Sequence, residues 1–231
     1  MATSPLPSVR TWSTAPTPPS RQRARSASSS PTWPRPGHPG GGPISPQLIL
    51  ASASPQRRAI LDQIGISFQA IVSDAPELTE GPPAEVVLEN AYRKATAVAA
   101  AVGAGGPPVL GVDTEVSLGA RIFGKPRDEA EAAEMLAALA GRRHVVLSGV
   151  CLISDGRVRT AAAQTVVEFR ALTQPAIDAY VGTGEWRGRA GGYAVQGRGA
   201  TLVARIEGDY LNVVGLPVAT LLDLAPGLIG D

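Results

Sequence analysis

The chain is made of two materials, and the break near residue 46 limits anything it can fold into. Residues 1–45 hold a large share of the proline and no acidic residue. Runs such as Ser26–Pro31 and Pro34–Pro43 present no periodic apolar face. A segment of this kind cannot bury enough apolar surface to offset the entropy lost on ordering, so a disordered N-terminal extension is expected over 1–45. Its Arg- and Ser-rich, acid-free character is shared with organelle transit peptides. The prolines, however, would break the amphipathic helix such a peptide needs. No apolar h-region marks a secretory signal, and a start site chosen upstream of the real domain would leave the same pattern. Packing then falls on 46–231, the length of one ordinary domain. Hydrophobic residues make up 44% of the chain and aromatics 4%, so the core is to be built from Ala, Val, Leu and Ile.

Within that domain, strands and helices alternate. Gln47–Ala51 reads as a buried strand leading into Ser54-Pro55, where Ser caps a helix and Pro takes the first position at no cost in hydrogen bonds. That helix is expected to reach Ile64 and stop at Gly65. Ser67–Val72 reads as a strand and Asp74–Pro83 as a polar loop. A helix is expected from Pro83 to Val102 with Gly103 after its end. Val109–Leu118 reads as a central strand with a short return at Arg121–Phe123. Asp128 caps a helix stopped by Gly141, and Thr173 caps another running to Val181. Arg143–Ser154 and Arg157–Arg170 meet at Asp155-Gly156, a strong hairpin signal. A Gly-rich segment, 182–199, precedes a second hairpin-like pair around Glu207-Gly208, and Leu216–Leu224 has helical character. Two hairpins and no strict βαβ repetition favour an α/β domain with a mixed, twisted central sheet flanked by helices over a doubly wound parallel sheet.

The bulk numbers exclude several functions. A net charge of +1 gives no sign of a nucleic-acid surface. No apolar stretch of about 20 residues is present to span a membrane. Cys151, the single cysteine, lies in an apolar run and reads as a buried strand residue in a reducing compartment, so a cytoplasmic location is expected. With His38 and His144 as the only histidines, a His-dependent triad or a His-rich zinc site has almost no material.

Five segments carry chemistry. Ser52-Ala-Ser54-Pro-Gln-Arg57-Arg58 joins a strand to a helix N-terminus, where free N–H groups, two hydroxyls and a guanidinium make an anion cradle; a plain cap with solvated arginines is the blander reading. Lys94 shares a stripe with Val87, Ala91 and Val98, so it either snorkels to solvent or meets a buried anion. Asp113 sits inside a nearly continuous apolar strand, where an unpaired carboxylate is costly, and period-two alternation puts Glu115 on the same face, with a metal as one partner for both. Gly119–Lys125 imitates a P-loop, but Pro126 lacks the hydroxyl that motif requires; Lys125 can still face a phosphate. In Arg189–Gly197 the glycines allow close backbone approach and Gln196 offers an amide to a base edge, although a mobile loop has the same composition.

The order and spacing of these segments resemble the Maf family. The resemblance rests on Leu50–Arg58, Gly111–Thr114, Gly124–Arg127, Ala190–Gly197 and Val214–Pro217, and covers roughly residues 47–225. It implies a mixed α/β fold of the Maf and inosine triphosphatase kind with a deep cleft, often as a homodimer. It also implies hydrolysis of nucleoside triphosphates to monophosphate and pyrophosphate with a divalent cation, Mg2+ or Mn2+. Carried over by position, Asp113 is the general base, and Ser52, Ser54, Arg57, Glu77, Lys94, Lys125 and Gln196 bind substrate. Asp113 and Glu77 hold the metal, and Pro76 departs from the acidic pair often found beside Glu77. Gln56, Thr114 and Gln196 are the specificity positions. Asp113-Thr114 with Tyr193–Gln196 resembles the branch acting on dTTP and UTP, whereas Gln56 replaces the arginine usual in that branch. The alternatives are the 7-methyl-GTP branch and a nucleotide-binding regulator of cell division with negligible turnover. Because 1–45 carries none of the motifs, a chain beginning near Pro46 is expected to fold and work.

Overall fold

The computed structural model describes residues 46–229 and the backbone of a three-residue strand, β1 (Arg10–Trp12). The extension expected over 1–45 otherwise lies outside the described residues, as does His38.

β2 (Leu48–Leu50) enters α1 (Pro55–Gln63), whose N-cap Ser54 accepts from the Arg57 N–H. β3 (Phe68–Ala70) is shorter than the alternating run that announced it. The next helix, α2 (Pro83–Val102), has the expected bounds, and so do β4 (Val109–Leu118) and β5 (Arg121–Phe123). Asp128 caps α3 (Glu129–Leu139) through a hydrogen bond from Glu131 N. β6 (Arg143–Ser154) and β7 (Arg157–Phe169) form the long hairpin, with Asp155 and Gly156 both at positive φ in its turn. After α4 (Gln174–Val181), the Gly-rich stretch forms two 3-10 turns and leads to β8 (Val203–Glu207). The second hairpin expected at Glu207-Gly208 is not formed. Asp209 instead accepts from Leu211 N and starts a helix, α5 (Tyr210–Val214), because an Asp after a glycine turn caps as readily as it turns. The last helix is α6 (Val218–Leu224).

The sheet runs β1-β7-β6-β4-β2-β3, with β5 on β4 and β8 on β7. β2 is parallel to β3 and β4, and every other pairing is antiparallel, so the sheet is mixed as the sequence pattern required. Period two divides its side chains. Ile49, Val109 and Cys151 face α2, while Leu48, Leu50, Leu110, Val112 and Leu152 face α1 and α6. A third cluster joins α3 and α4 to Val116, Phe123 and Phe169. Each fully buried Leu or Phe stabilises the fold by about 1.5–3 kcal/mol. Burial also lifts the Cys151 thiol pKa to about 12, which leaves it unreactive at neutral pH.

Two glycines set how closely α2 approaches the sheet. A Cβ on Gly111 would lie 2.8 Å from Ala95 N, and one on Gly149 would lie 2.7 Å from Leu88 N. Helix α2 therefore rests directly on the backbone of β4 and β6. Gly149 is the register partner of Asp113, so the contact lies beside the strand aspartate.

Candidate active site

A cleft of about 410 Å³ opens over the middle of β4 and the start of α1. It is lined by Ser52, Ser54, Gln56, Arg57, Glu77, Lys94, Asp113, Thr114 and Lys125. The segments singled out in the sequence thus converge, apart from Gln196. That residue lines an adjoining cavity of about 230 Å³ together with Gln56, Glu185, Arg189 and Tyr193.

Asp113 is 4% exposed, and both of its oxygens are held. Oδ1 receives Lys94 Nζ at 2.5 Å and Oδ2 receives Asn90 Nδ2 at 3.1 Å. Lys94 also pairs with Glu77 at 2.7 Å, so it does not snorkel: its stripe meets the buried anion directly. These contacts require α2 to lie as close as Gly111 and Gly149 permit. Each carboxylate oxygen still has a lone pair to accept a proton from a third group.

The start of α1 is organised differently from a simple cradle. Ser52 Oγ accepts from Ser54 N and from Arg57 Nη1. Arg57 Nε donates to Gly215 O at 2.8 Å and Nη2 to Thr114 Oγ1 at 3.1 Å. Burial lowers the guanidinium pKa against the pull of Asp113, Glu77 and Glu115. Arg57 lines the cleft, yet much of its donor capacity is spent tying β4 to the segment before α6. Thr114 Oγ1 completes that tie with Ser148 Oγ at 2.8 Å. Ser54 Oγ donates to Gln56 Oε1 at 3.2 Å, which orients the amide at the wall between the two cavities.

Lys125 lines the cleft and makes no ion pair among the described residues. The turn carrying Gln196 is rigidified by neighbours. Glu185 accepts from Arg198 N and Gly199 N, and Tyr180 Oη accepts from Ala194 N. Tyr193 is buried against Phe169 and His144, with His144 Nε2 2.9 Å from its hydroxyl. Burial pushes the Tyr193 pKa up and the His144 pKa down to about 4.

The sequence model described as Maf-like protein matches residues 47–227. The chain belongs to the Maf family. Relatives named dTTP/UTP pyrophosphatase occur in several organisms. That of Sphingopyxis alaskensis is 48% identical over 75% of this chain and 92% of its own length. That of Deinococcus radiodurans is 43% identical over 79% and 93%, and that of Symbiobacterium thermophilum 48% over 74% and 89%. Among solved structures, the nucleoside-triphosphatase (dITP/XTP pyrophosphatase) of Mycobacterium abscessus aligns with a TM-score of 0.39 and 17% identity, over 59% of this chain and 94% of that one.

In this Maf protein the carboxylates suit a hard divalent ion. Glu77 and Asp113 both reach the cleft, whereas Glu115, expected beside Asp113 on the same strand face, is not among the residues that line it. Burial beside Asp113 raises the Glu115 pKa to about 8. Among the described residues no three His, Cys, Asp or Glu side chains form a ready-made cage. Mg2+, however, is ordinarily held by one or two carboxylates, with water and substrate phosphates supplying the rest, and that donor set is present. Two residues escaped the sequence reading. Asn90 is fully buried and clamps Leu78 N and O as well as Asp113; its signal was its place four residues before Lys94, on the same helix face. Glu185 had no signal, since its partners are backbone amides of a later turn.

Proposed function

We propose that the protein is a nucleoside triphosphate pyrophosphatase that prefers dTTP or UTP and releases the monophosphate and pyrophosphate. The observation that carries this reading is the buried Asp113 carboxylate, held between Lys94 and Asn90 on the floor of a cleft lined by Lys125 and a helix N-terminus. The names of the relatives support the substrate class. The phosphates lie over the start of α1 and against Lys125. Asp113 accepts the proton of a water attacking the α-phosphorus; the bond from that phosphorus to the bridging oxygen breaks, and pyrophosphate leaves with the electron pair. Lys94 and Asn90 hold the carboxylate in place, and Lys125 stabilises charge growing on the leaving group. Mg2+ or Mn2+ held by Asp113 and Glu77 would neutralise phosphate oxygens. Gln56 and Gln196 select the base, with Gln196 facing it in the smaller cavity; Thr114, expected as a third specificity position, lines only the larger cavity, with its hydroxyl on Arg57 and Ser148.

The test is a panel of dTTP, UTP, CTP, ATP, GTP and 7-methyl-GTP with Mg2+, detecting pyrophosphate and orthophosphate separately. Pyrophosphate release led by dTTP or UTP is expected. Release led by 7-methyl-GTP would reassign the branch, with Gln56 the position responsible. Orthophosphate alone would refute the bond assigned, and tight binding without product would make the protein a nucleotide-responsive regulator.

A further inference from the structure

The cations around the cleft are not equally available. Lys94 is held by Asp113 and Glu77, and Arg57 by Ser52, Thr114 and Gly215. Arg189 differs from both. Its Nε is buried without a hydrogen-bond partner, and it takes part in no ion pair among the described residues. It is also the one cation, among the described residues, that lines both cavities. On the pyrophosphatase reading, the smaller cavity takes the base and the larger one the phosphates. The part of the substrate passing the shared wall is then the ribose and the α-phosphate, and only the phosphate is charged. A half-buried guanidinium whose buried Nε–H is unused at that wall matches one anionic oxygen group.

We propose that Arg189 is a substrate-contacting residue that binds the α-phosphate. It spans the junction where base recognition meets bond cleavage, and its charge counters the charge on the phosphorus under attack. This assignment rests on the reading above, but it separates the nucleoside-proximal phosphate from the β and γ phosphates, which Lys125 and the α1 N-terminus face.

The experiment compares Arg189→Gln and Arg189→Lys with the parent protein, using four probes: dTTP turnover, and binding of dTMP, thymidine and inorganic tripolyphosphate. If another triphosphate leads the panel, its own monophosphate and nucleoside replace dTMP and thymidine. Arg189→Gln is expected to lower kcat/KM by roughly 100-fold and to weaken dTMP at least ~10-fold, the scale of a lost charge-assisted contact. Thymidine and tripolyphosphate should change less than about twofold, and Arg189→Lys should recover much of the dTMP affinity. An unchanged dTMP affinity in Arg189→Gln overturns the proposal. So does an equal loss for dTMP and thymidine, which would mean that the arginine only props up the base pocket. If the parent cleaves no triphosphate, the pyrophosphatase reading fails, while the dTMP and thymidine comparison still decides Arg189; a parent that binds no dTMP overturns the assignment too.

Discussion

Replacing Gly149 with alanine tests whether the approach of α2 to the sheet sets the catalytic geometry. The new Cβ would lie 2.7 Å from Leu88 N and closer still to the Val87 carbonyl group. Carbon contacts relax to about 3.5 Å or more, so this turn of α2 must withdraw by roughly 1 Å. Neither obstacle is a flexible side-chain end; both are helix backbone, which moves only with its neighbours. Asn90 and Lys94 ride on that same helix, and Asp113 is the register partner of the substituted residue. A 1 Å misplacement of catalytic groups costs about 100-fold in rate. Overpacking adds about 1–3 kcal/mol of destabilisation, or a Tm lower by roughly 3–10 °C in a domain of this size. The assay is pyrophosphate release from dTTP at saturating and limiting concentrations, with thermal melts alongside. Most of the loss should fall in kcat. Gly227→Ala is the control, since a Cβ there meets nothing within 4 Å and no positive φ is involved. A Gly149→Ala protein with kcat within about twofold of the parent would refute the argument, because the clash would then have been absorbed without moving Lys94 or Asn90.

Asp113→Asn should abolish most turnover while nucleotide still binds, as seen by equilibrium dialysis; full activity would remove Asp113 from its role as base. Asn90→Ala leaves Leu78 N, Leu78 O and Asp113 Oδ2 each short of a partner, so a loss of about 1–3 kcal/mol in denaturant melts is expected, with lower kcat. His144 is kept neutral by burial, its pKa depressed to about 4 from 6.5. A depressed value means that its contribution is present in full above pH 6.5 and is lost as pH falls towards 4. At ~1.4 kcal/mol per pH unit this amounts to ~3 kcal/mol. Denaturant melts of parent and His144→Gln at pH 7 and pH 4.5 should show a flatter pH dependence in the variant, and identical slopes would exclude the imidazole as the cause.

Local chemistry was legible without coordinates wherever one short segment settles it. Ser54-Pro55, Asp128 and Thr173 cap their helices because a side-chain oxygen and a free N–H lie within three residues of each other. Asp155-Gly156 turns because both residues accept positive φ. Asp113 betrayed itself by its charge in an apolar strand, and Lys94 by its place in a helical stripe. The same local logic failed at Glu207-Gly208, where cap and turn share a composition and only the residues packed around Asp209 choose between them. Beyond that reach, tertiary structure decided. That Lys94 meets Asp113, that Arg57 ties β4 to Gly215, that Asn90 joins a loop to a strand, and that Arg189 Nε is buried between two cavities without a partner among the described residues all depend on groups far apart in sequence. Two glycines on neighbouring strands let a helix settle onto the sheet; a glycine read along the chain signals freedom to turn, and only the packed fold shows that what mattered here was the absence of a side chain.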